Sequence, residues 1–400
     1  MPEPHDQPQS KRLLGLLFLT LFLVMTGFGI VIPALPYQTL DLQGDARTVG
    51  FLLASYSVMN VLCAPLWGRI SDRIGRKPVL LIGILGLGLS FLWFGLASEL
   101  WQLFAARILG GALGAAALPT AMAYAGDITK PEARAKAIGI LGAGLGLGMV
   151  VGPALGGLAG HWGHHVPFLA AALLAFATAA VVAVILPSRA PEAPQYMSFV
   201  SALRETGGKL WPFYVLTFLQ MLAFTNLEAT FVLYAKDRFG LTILQVGLMF
   251  MAMGLVSAGF QGGGVAKLIG RFGAPAVSRA GILLLGLSFG LIPLANHAAW
   301  LLATFCVTGV GAAMIRTSLA TGVSRGATAG QGTAMGMMQS FDSLARVFGP
   351  MLGGILYSLH QGFPSLMGVG LMALAGALAC FVLPAERKDL AGAGGSGVLS

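Results

Sequence analysis

Charge is what this sequence lacks most. Only 10% of its 400 residues are Asp, Glu, Lys or Arg, 56% are hydrophobic, and mean hydropathy is +0.82. A soluble domain is about a quarter charged, so this chain has too few charges to cover a water-facing surface of its size. Cysteine is scarce as well. Cys63, Cys306 and Cys380 lie in apolar runs and form no spaced set, which excludes a disulfide framework and a cysteine metal site. The chain has no Walker A P-loop, so nucleotide-driven work is not expected. Its one G-x-G-x-x-G, at Gly392, Gly394 and Gly397, has no strand before it and no helix after it, so a dinucleotide fold is rejected. The expectation is a protein that is not an enzyme and uses no cofactor.

What is there is apolar length. Runs of about 18 or more residues, each long enough to span a bilayer core, recur at 13–35, 48–67, 79–97, 102–126, 137–160, 166–187, 212–235, 243–265, 280–296, 299–323, 333–357 and 364–383. The short alternating segments of a membrane β-barrel are absent. The reading is an all-α membrane protein with twelve transmembrane helices. The first run follows only MPEPHDQPQSKR, is too long for a signal-peptide core and has no small-residue cleavage site after it, so it is read as the first span.

The net charge of +9 invites a nucleic-acid reading, but its distribution argues otherwise. One set of alternating segments holds 18 of the 24 Lys and Arg, and the opposite set holds only Arg47, Lys236 and Arg238. That asymmetry is the positive-inside rule, with both termini cytoplasmic. Trp101, Trp162, Trp211 and Trp300 fall at span ends, as interfacial aromatics do. No nucleic-acid partner is expected.

The chain also repeats itself. Shifted by 197 residues, Tyr37 falls on Tyr234, Val49-Gly50 on Val246-Gly247, and Gly152-Pro153-Ala154-Leu155-Gly156-Gly157 on Gly349-Pro350-Met351-Leu352-Gly353-Gly354. Shifted by 198, Arg73-Ile74-Gly75 falls on Arg271-Phe272-Gly273. Coincidences at nearly one offset predict two six-helix halves of like orientation around a central cavity. The halves are placed at 1–187 and 212–385, with a cytoplasmic linker at 188–211 and a flexible cytoplasmic tail at 386–400.

Between spans two and three runs GRISDRIGRKPVL, with Asp72 the only acid among Arg69, Arg73, Arg76 and Lys77. On charge alone this is a short positive-inside turn. Its order, with Gly68, Asp72, Arg73, Gly75, Arg76 and Lys77, resembles the signature loop of the major facilitator superfamily. The second-half copy, AKLIGRFGAP, has Gly270 where the acid would fall. The resemblance implies that fold, and a loop that latches the cytoplasmic side of the two halves in one state. In span five, Gly144, Gly148, Gly152, Gly156 and Gly160 recur every four residues, one face on which another helix can pack closely. Pro153 invites a bend there. The G-P-x-x-G-G pattern at Gly152, Pro153, Gly156 and Gly157 resembles the span-five motif of drug:proton antiporters. Gly27, Gly29, Pro33 and Pro36 resemble the first span of twelve-span drug and tetracycline exporters, and Arg107 matches a span-four arginine of the family.

The segments LEATFVLYAKD and AAMIRTSLA resemble multidrug and quinolone pumps of the NorA type. There the glutamate matching Glu228 is tied to proton coupling and drug binding, and an arginine matches Arg316. Two departures stand out. A second acid of those pumps is replaced here by Ala313, and the acids of the tetracycline pumps in spans one and three are replaced by Val24 and Ser90. Tetracycline is therefore disfavoured as the main substrate.

Charged residues within the spans are few: Arg107, Glu228, Arg316, Asp342 and Arg346. Such residues are functional hypotheses by default. An unpaired buried carboxylate costs several kcal/mol and tends to take up a proton instead, so a proton and a cationic substrate can compete at one glutamate. That is one reading of Glu228; the other is a structural ion pair with Arg107 or another arginine. Asp342 and Arg346, four apart, can pair along one helix in a structural or gate-stabilising role. Arg316 can pair with Asp342 or tune the carboxylates. Met25, Phe28, Met221, Phe224 and Phe231 could line an adaptable pocket, but for any one of them packing or lipid contact is the favoured reading. The functional expectation is a monomeric inner-membrane antiporter that exchanges protons for lipophilic or cationic drugs. Exporters of a sugar, another metabolite or a lipid share the fold, and a non-transporting receptor is disfavoured by the repeat and the loop.

Overall fold

The structure is a computed structural model that describes residues 7–188, 199–327 and 331–383. Twelve helical spans follow the twelve apolar runs. They are α1 (Gln7–Asp41), α2 (Ala46–Ile74), α3 (Arg76–Leu96), α4 (Leu100–Ile128), α5 (Pro131–Ala159), α6 (Val166–Ile185), α7 (Phe199–Phe239), α8 (Ile243–Phe272), α9 (Ala274–Leu291), α10 (Ala298–Gly326), α11 (Gln331–Leu359) and α12 (Phe363–Val382). Eleven are long and apolar enough to cross a membrane. The other, α11, is long enough at 29 residues but carries Gln339, Asp342 and Arg346.

Two spans are interrupted. α4 breaks at Ala115–Ala116, and α8 passes through one π-helical turn at Phe260–Gly264, where three consecutive glycines give the backbone little side-chain support. The linker expected at 188–211 ends sooner than its polarity suggests. From Phe199 the chain is already in the helix of span seven, and Pro212 lies inside that helix. Residues 189–198 and the expected tail at 386–400 lie outside the described residues.

Local chemistry sets the helix ends, and it does so twice. Asp45 accepts from the Thr48 N–H at 2.8 Å and the Thr48 hydroxyl answers, a capping box that starts α2. At the same offset of 197, Thr242 and Gln245 form the box that starts α8. Each of these helices ends on one glycine in the left-handed half of φ, Gly75 at 95° and Gly273 at 80°, which turns the chain straight into the next helix. The Thr48 N–H holds the Asp45 carboxyl below its usual range. The cap is therefore at full strength above the unfolded carboxylate range and is lost only as pH falls through the lowered value. Asp45→Ala is expected to cost about 1 kcal/mol, read as a lower melting temperature in detergent at neutral pH.

Packing repeats the pattern. α1 lies along α5 and α7 along α11, while α3 packs on α6 and α9 on α12. The glycine face of α5 meets α1: a Cβ at Gly152 would stand 2.7 Å from the Gly29 Cα, and one at Gly144 would stand 2.9 Å from the Phe18 carbonyl oxygen. Gly148 and Gly156 meet the carbonyls of Phe22 and Ile30 in the same way. Gly160 departs from that face and meets Ile243 of α8. With lipid on the outside, close packing of this kind is what holds helices together.

The halves meet through two contacts related by the repeat. α2 crosses α11 where Gly50 lies against the Pro350 carbonyl and a Cβ would be 3.2 Å from the Gly354 Cα. α5 crosses α8 where Gly247 lies against the Pro153 carbonyl and a Cβ would be 3.1 Å from the Gly157 Cα. At the same end Tyr37 donates to the Leu241 carbonyl at 2.6 Å, and Arg47 Nε donates to Ser358 Oγ at 2.7 Å. Toward the other end burial runs out. α2 has no buried residue from Val58 to Ile70, and α8 has none from Met251 to Gly264. The cavity between the halves is therefore sealed at the end holding Tyr37 and Gly50 and open at the end holding the 68–80 loop.

Candidate functional site

α7 is buried at every position from Leu219 to Ala235 except Phe224 and Glu228, one helical turn apart. These two side chains mark its cavity face. Among the described residues Glu228 makes no hydrogen bond or ion pair, and the charge that reaches it is that of Arg346 on α11. The structural pair with Arg107 is thus not formed. Arg346 Nε donates to Asp342 Oδ2 at 3.2 Å, and Gln339 Nε2 donates to the same oxygen at 3.4 Å. Asp342 is buried at 5% exposure. Arg316 on α10 makes no hydrogen bond or ion pair among the described residues and lies within the fields of Asp342 and Arg346. It is accessible yet surrounded by protein, as a side chain on a cavity wall is.

Across the cavity, Arg107 of α4 is only 4% exposed. Its guanidinium lies over the rings of Tyr56 at 5.7 Å and Phe94 at 5.3 Å, and its Nε has no hydrogen-bond partner. Tyr56, under the Arg107 guanidinium, also lies within reach of Arg346, so it stands between the arginines of the two halves. Phe28 of α1 packs on Tyr56 at 5.5 Å. Nothing in the sequence singled out Tyr56 or Phe94. They carry no charge, and only the folded chain reveals an arginine between the rings. Among the described residues no group of three or more His, Cys, Asp or Glu could hold a metal ion.

Two pocket candidates turn out to be core. Phe231 is fully buried and stacked on Phe305 with centroids 3.8 Å apart, and Met221 is buried beside Leu222 and Ala345. Met25 is half-buried against α5 near Gly148, while Phe28 and Phe224 keep partial exposure. Phe231→Ala is expected to lower stability by about 3–5 kcal/mol, seen as a lower melting temperature, with transport per folded molecule little changed.

The Major Facilitator Superfamily pattern matches residues 17–327 and, overlapping, 213–398. The chain belongs to the major facilitator superfamily. It is 32% identical to multidrug resistance protein 1 of Bacillus subtilis (strain 168), over 94% of this chain and 97% of that one. It is 31% identical to the class E tetracycline resistance protein of Escherichia coli, over 91% and 94%. Both relatives are drug-resistance proteins. The nucleoside transporter NupG superimposes with a TM-score of 0.78 over 94% of this chain and 100% of that one, at 14% identity, which speaks for the fold alone. The protein is a multi-pass membrane transporter, not an enzyme.

The superfamily's loop can now be placed. Asp72 pairs with Arg76, whose Nε also holds Asp127 of α4 at 3.0 Å and whose Nη1 donates to Ser71 Oγ at 2.7 Å. Lys77 Nζ donates to the Ala183 carbonyl of α6 at 2.7 Å. Gly75 makes the turn, Arg73 is exposed, and Gly68 faces open space. These contacts knit α2 and α3 to α4 and α6 of their own half, at the open end of the cavity. The antiporter pattern, by contrast, sits in the seal: Gly148, Gly152 and Gly156 face α1, while Pro153 and Gly157 face Gly247 of α8.

Proposed function

We propose that the protein is a proton-coupled exporter of lipophilic, drug-like molecules, cationic ones included, working by alternating access with no cofactor other than the proton gradient. The observation that carries this reading is Glu228: a carboxyl without a partner, on the one face of α7 that fronts the cavity. A proton and a basic group of the substrate are alternative ways to neutralise it, and mutual exclusion at one site is enough for exchange. The belt of Arg346, Asp342 and Arg316 sets the field in which that choice is made. The excess of Lys and Arg on the segments at the open end puts that end, and both termini, in the cytoplasm. The protein acts as a monomer, since each chain supplies both halves of the cavity.

The test uses inside-out vesicles with an imposed pH gradient and a cationic dye such as ethidium. Gradient-driven uptake that collapses on adding an uncoupler is the expected result. Dye indifferent to the gradient, with unchanged drug susceptibility of cells expressing the protein, would overturn the reading and turn the search to metabolites and lipids.

A further inference from the structure

The latch of the 68–80 loop has a charge-inverted counterpart in the second half. In the first half Arg76, at the start of α3, is held by Asp72 and by Asp127 near the end of α4. A shift of 198 carries the start of α3 onto that of α9 and both ends of α4 onto those of α10. The same shift carries Asp72, Arg76 and Asp127 to Gly270, Ala274 and Arg325. Both acids are lost, the long side chain on the third helix of the half shrinks to a methyl group, and a cation stands where the first half has Asp127. Ala274 and Arg325 border a cavity of about 150 Å³.

Ser278 of α9 and Ser318 of α10 line that cavity. Each is 1% exposed, and neither hydroxyl has a hydrogen-bond partner among the described residues. A buried hydroxyl left without a partner is costly. Ser278 stands where the first half has Leu80, and Ser318 keeps the hydroxyl of Thr120. Two further sources of positive potential meet them. Arg325 is exposed in the last turn of α10, and α9, an 18-residue helix, starts at the cavity wall with its positive end. Phe213 of α7, also on the wall, lies two residues beyond the exposed Trp211. An interfacial tryptophan there places the cavity at the depth of lipid headgroups.

Hydroxyl donors, a guanidinium fork and a helix start converging on one small space suit a tetrahedral oxyanion, whose oxygens can take the fork and both hydroxyls at once. We propose that this cavity is a phosphate site, filled by the headgroup of an anionic phospholipid or by a soluble phosphate. The bound group supplies the negative charge that Asp72 and Asp127 supply in the first half, and it ties α9 to α10 as Arg76 ties α3 to α4. Basic pockets between membrane helices hold lipid phosphates by the same chemistry. The site shares no residue with the one around Glu228, so it stands whether or not the exporter reading does.

The test titrates the full chain in detergent with dihexanoyl phosphatidic acid, dihexanoyl phosphatidylcholine and inorganic phosphate. Wild type is expected to bind the phosphatidic acid about tenfold tighter than the phosphatidylcholine, whose choline neutralises the phosphate. Arg325→Gln should weaken phosphatidic acid binding about tenfold. Ser278→Ala combined with Ser318→Ala should weaken it about three- to tenfold without lowering the melting temperature, because these hydroxyls have no protein partner to lose. Arg134→Gln, which removes an exposed charge from the first half, should leave it unchanged. Inorganic phosphate bound as tightly as phosphatidic acid would confirm the site with a soluble ligand, and weaker inorganic phosphate would confirm it with a lipid. Binding of neither, or binding that Arg325→Gln and the double alanine variant leave unmoved, would overturn the proposal and assign the two serines to buried water.

Discussion

Glu228→Gln is expected to leave the protein folded and to reduce gradient-driven dye uptake to background. The amide keeps the shape of the carboxyl, and no hydrogen bond is lost, because Glu228 makes none among the described residues. What disappears is the ability to exchange a proton for a cation. Affinity for a cationic dye should fall about ten- to hundredfold, the worth of a charge-assisted contact of roughly 1.5–3 kcal/mol. Asp342→Asn is the contrasting variant. It strips a buried, paired carboxylate from Arg346, so its main effect should be on stability, read as a lower melting temperature. Equal uptake by wild type and Glu228→Gln would sink the coupling role and move it to Asp342.

Gly50→Val and Gly247→Val are expected to stop transport by a different route. At both positions the opposing atoms are backbone: Pro350 and Gly354 across from Gly50, Pro153 and Gly157 across from Gly247. Backbone cannot swing aside as a side-chain tip can, so the seal must part. Uptake should fall by more than about tenfold, because a cavity that cannot close at one end cannot alternate. In a background without Cys63, Cys306 and Cys380, a Val49→Cys probe, fully buried at the seal, should become reactive toward a membrane-impermeant maleimide in either valine variant. Gly139→Ala is the control. Its Cβ would meet nothing within 4 Å, and helix propensity favours alanine, so transport should be unchanged. Normal uptake with an unreactive probe in Gly50→Val would show that closure does not depend on this contact.

The sequence was most legible where physics acts on one residue or one helix at a time. Apolar length named twelve spans because bilayer thickness is fixed. The offset of 197 tied Gly50 to Gly247 and the 152–157 run to 349–354, positions that the structure shows to form the paired crossings. Glu228 stood out because charge in an apolar run is expensive whatever surrounds it. The sequence left open what depends on which way a helix face turns. Phe231 follows Glu228 by three residues, which rotates it about 60° away, enough to carry it from the cavity wall into the core against Phe305. Tyr56 was invisible for the opposite reason: its partner Arg107 lies on another helix, and a ring in an apolar run looks like any other. The polar stretch before Trp211 reads as linker by composition, yet from Phe199 it is the continuation of α7.

The two glycine crossings sit on opposite flanks of the cavity, α2 on α11 and α5 on α8. A stiff body fastened at two points keeps only one easy motion, rotation about the line joining them. While both fastenings hold, the halves can part only at the edge that is already open, so release to the other side requires both crossings to let go together. Freeing one fastening alone would add a twist, and the molecule would then leak instead of alternating.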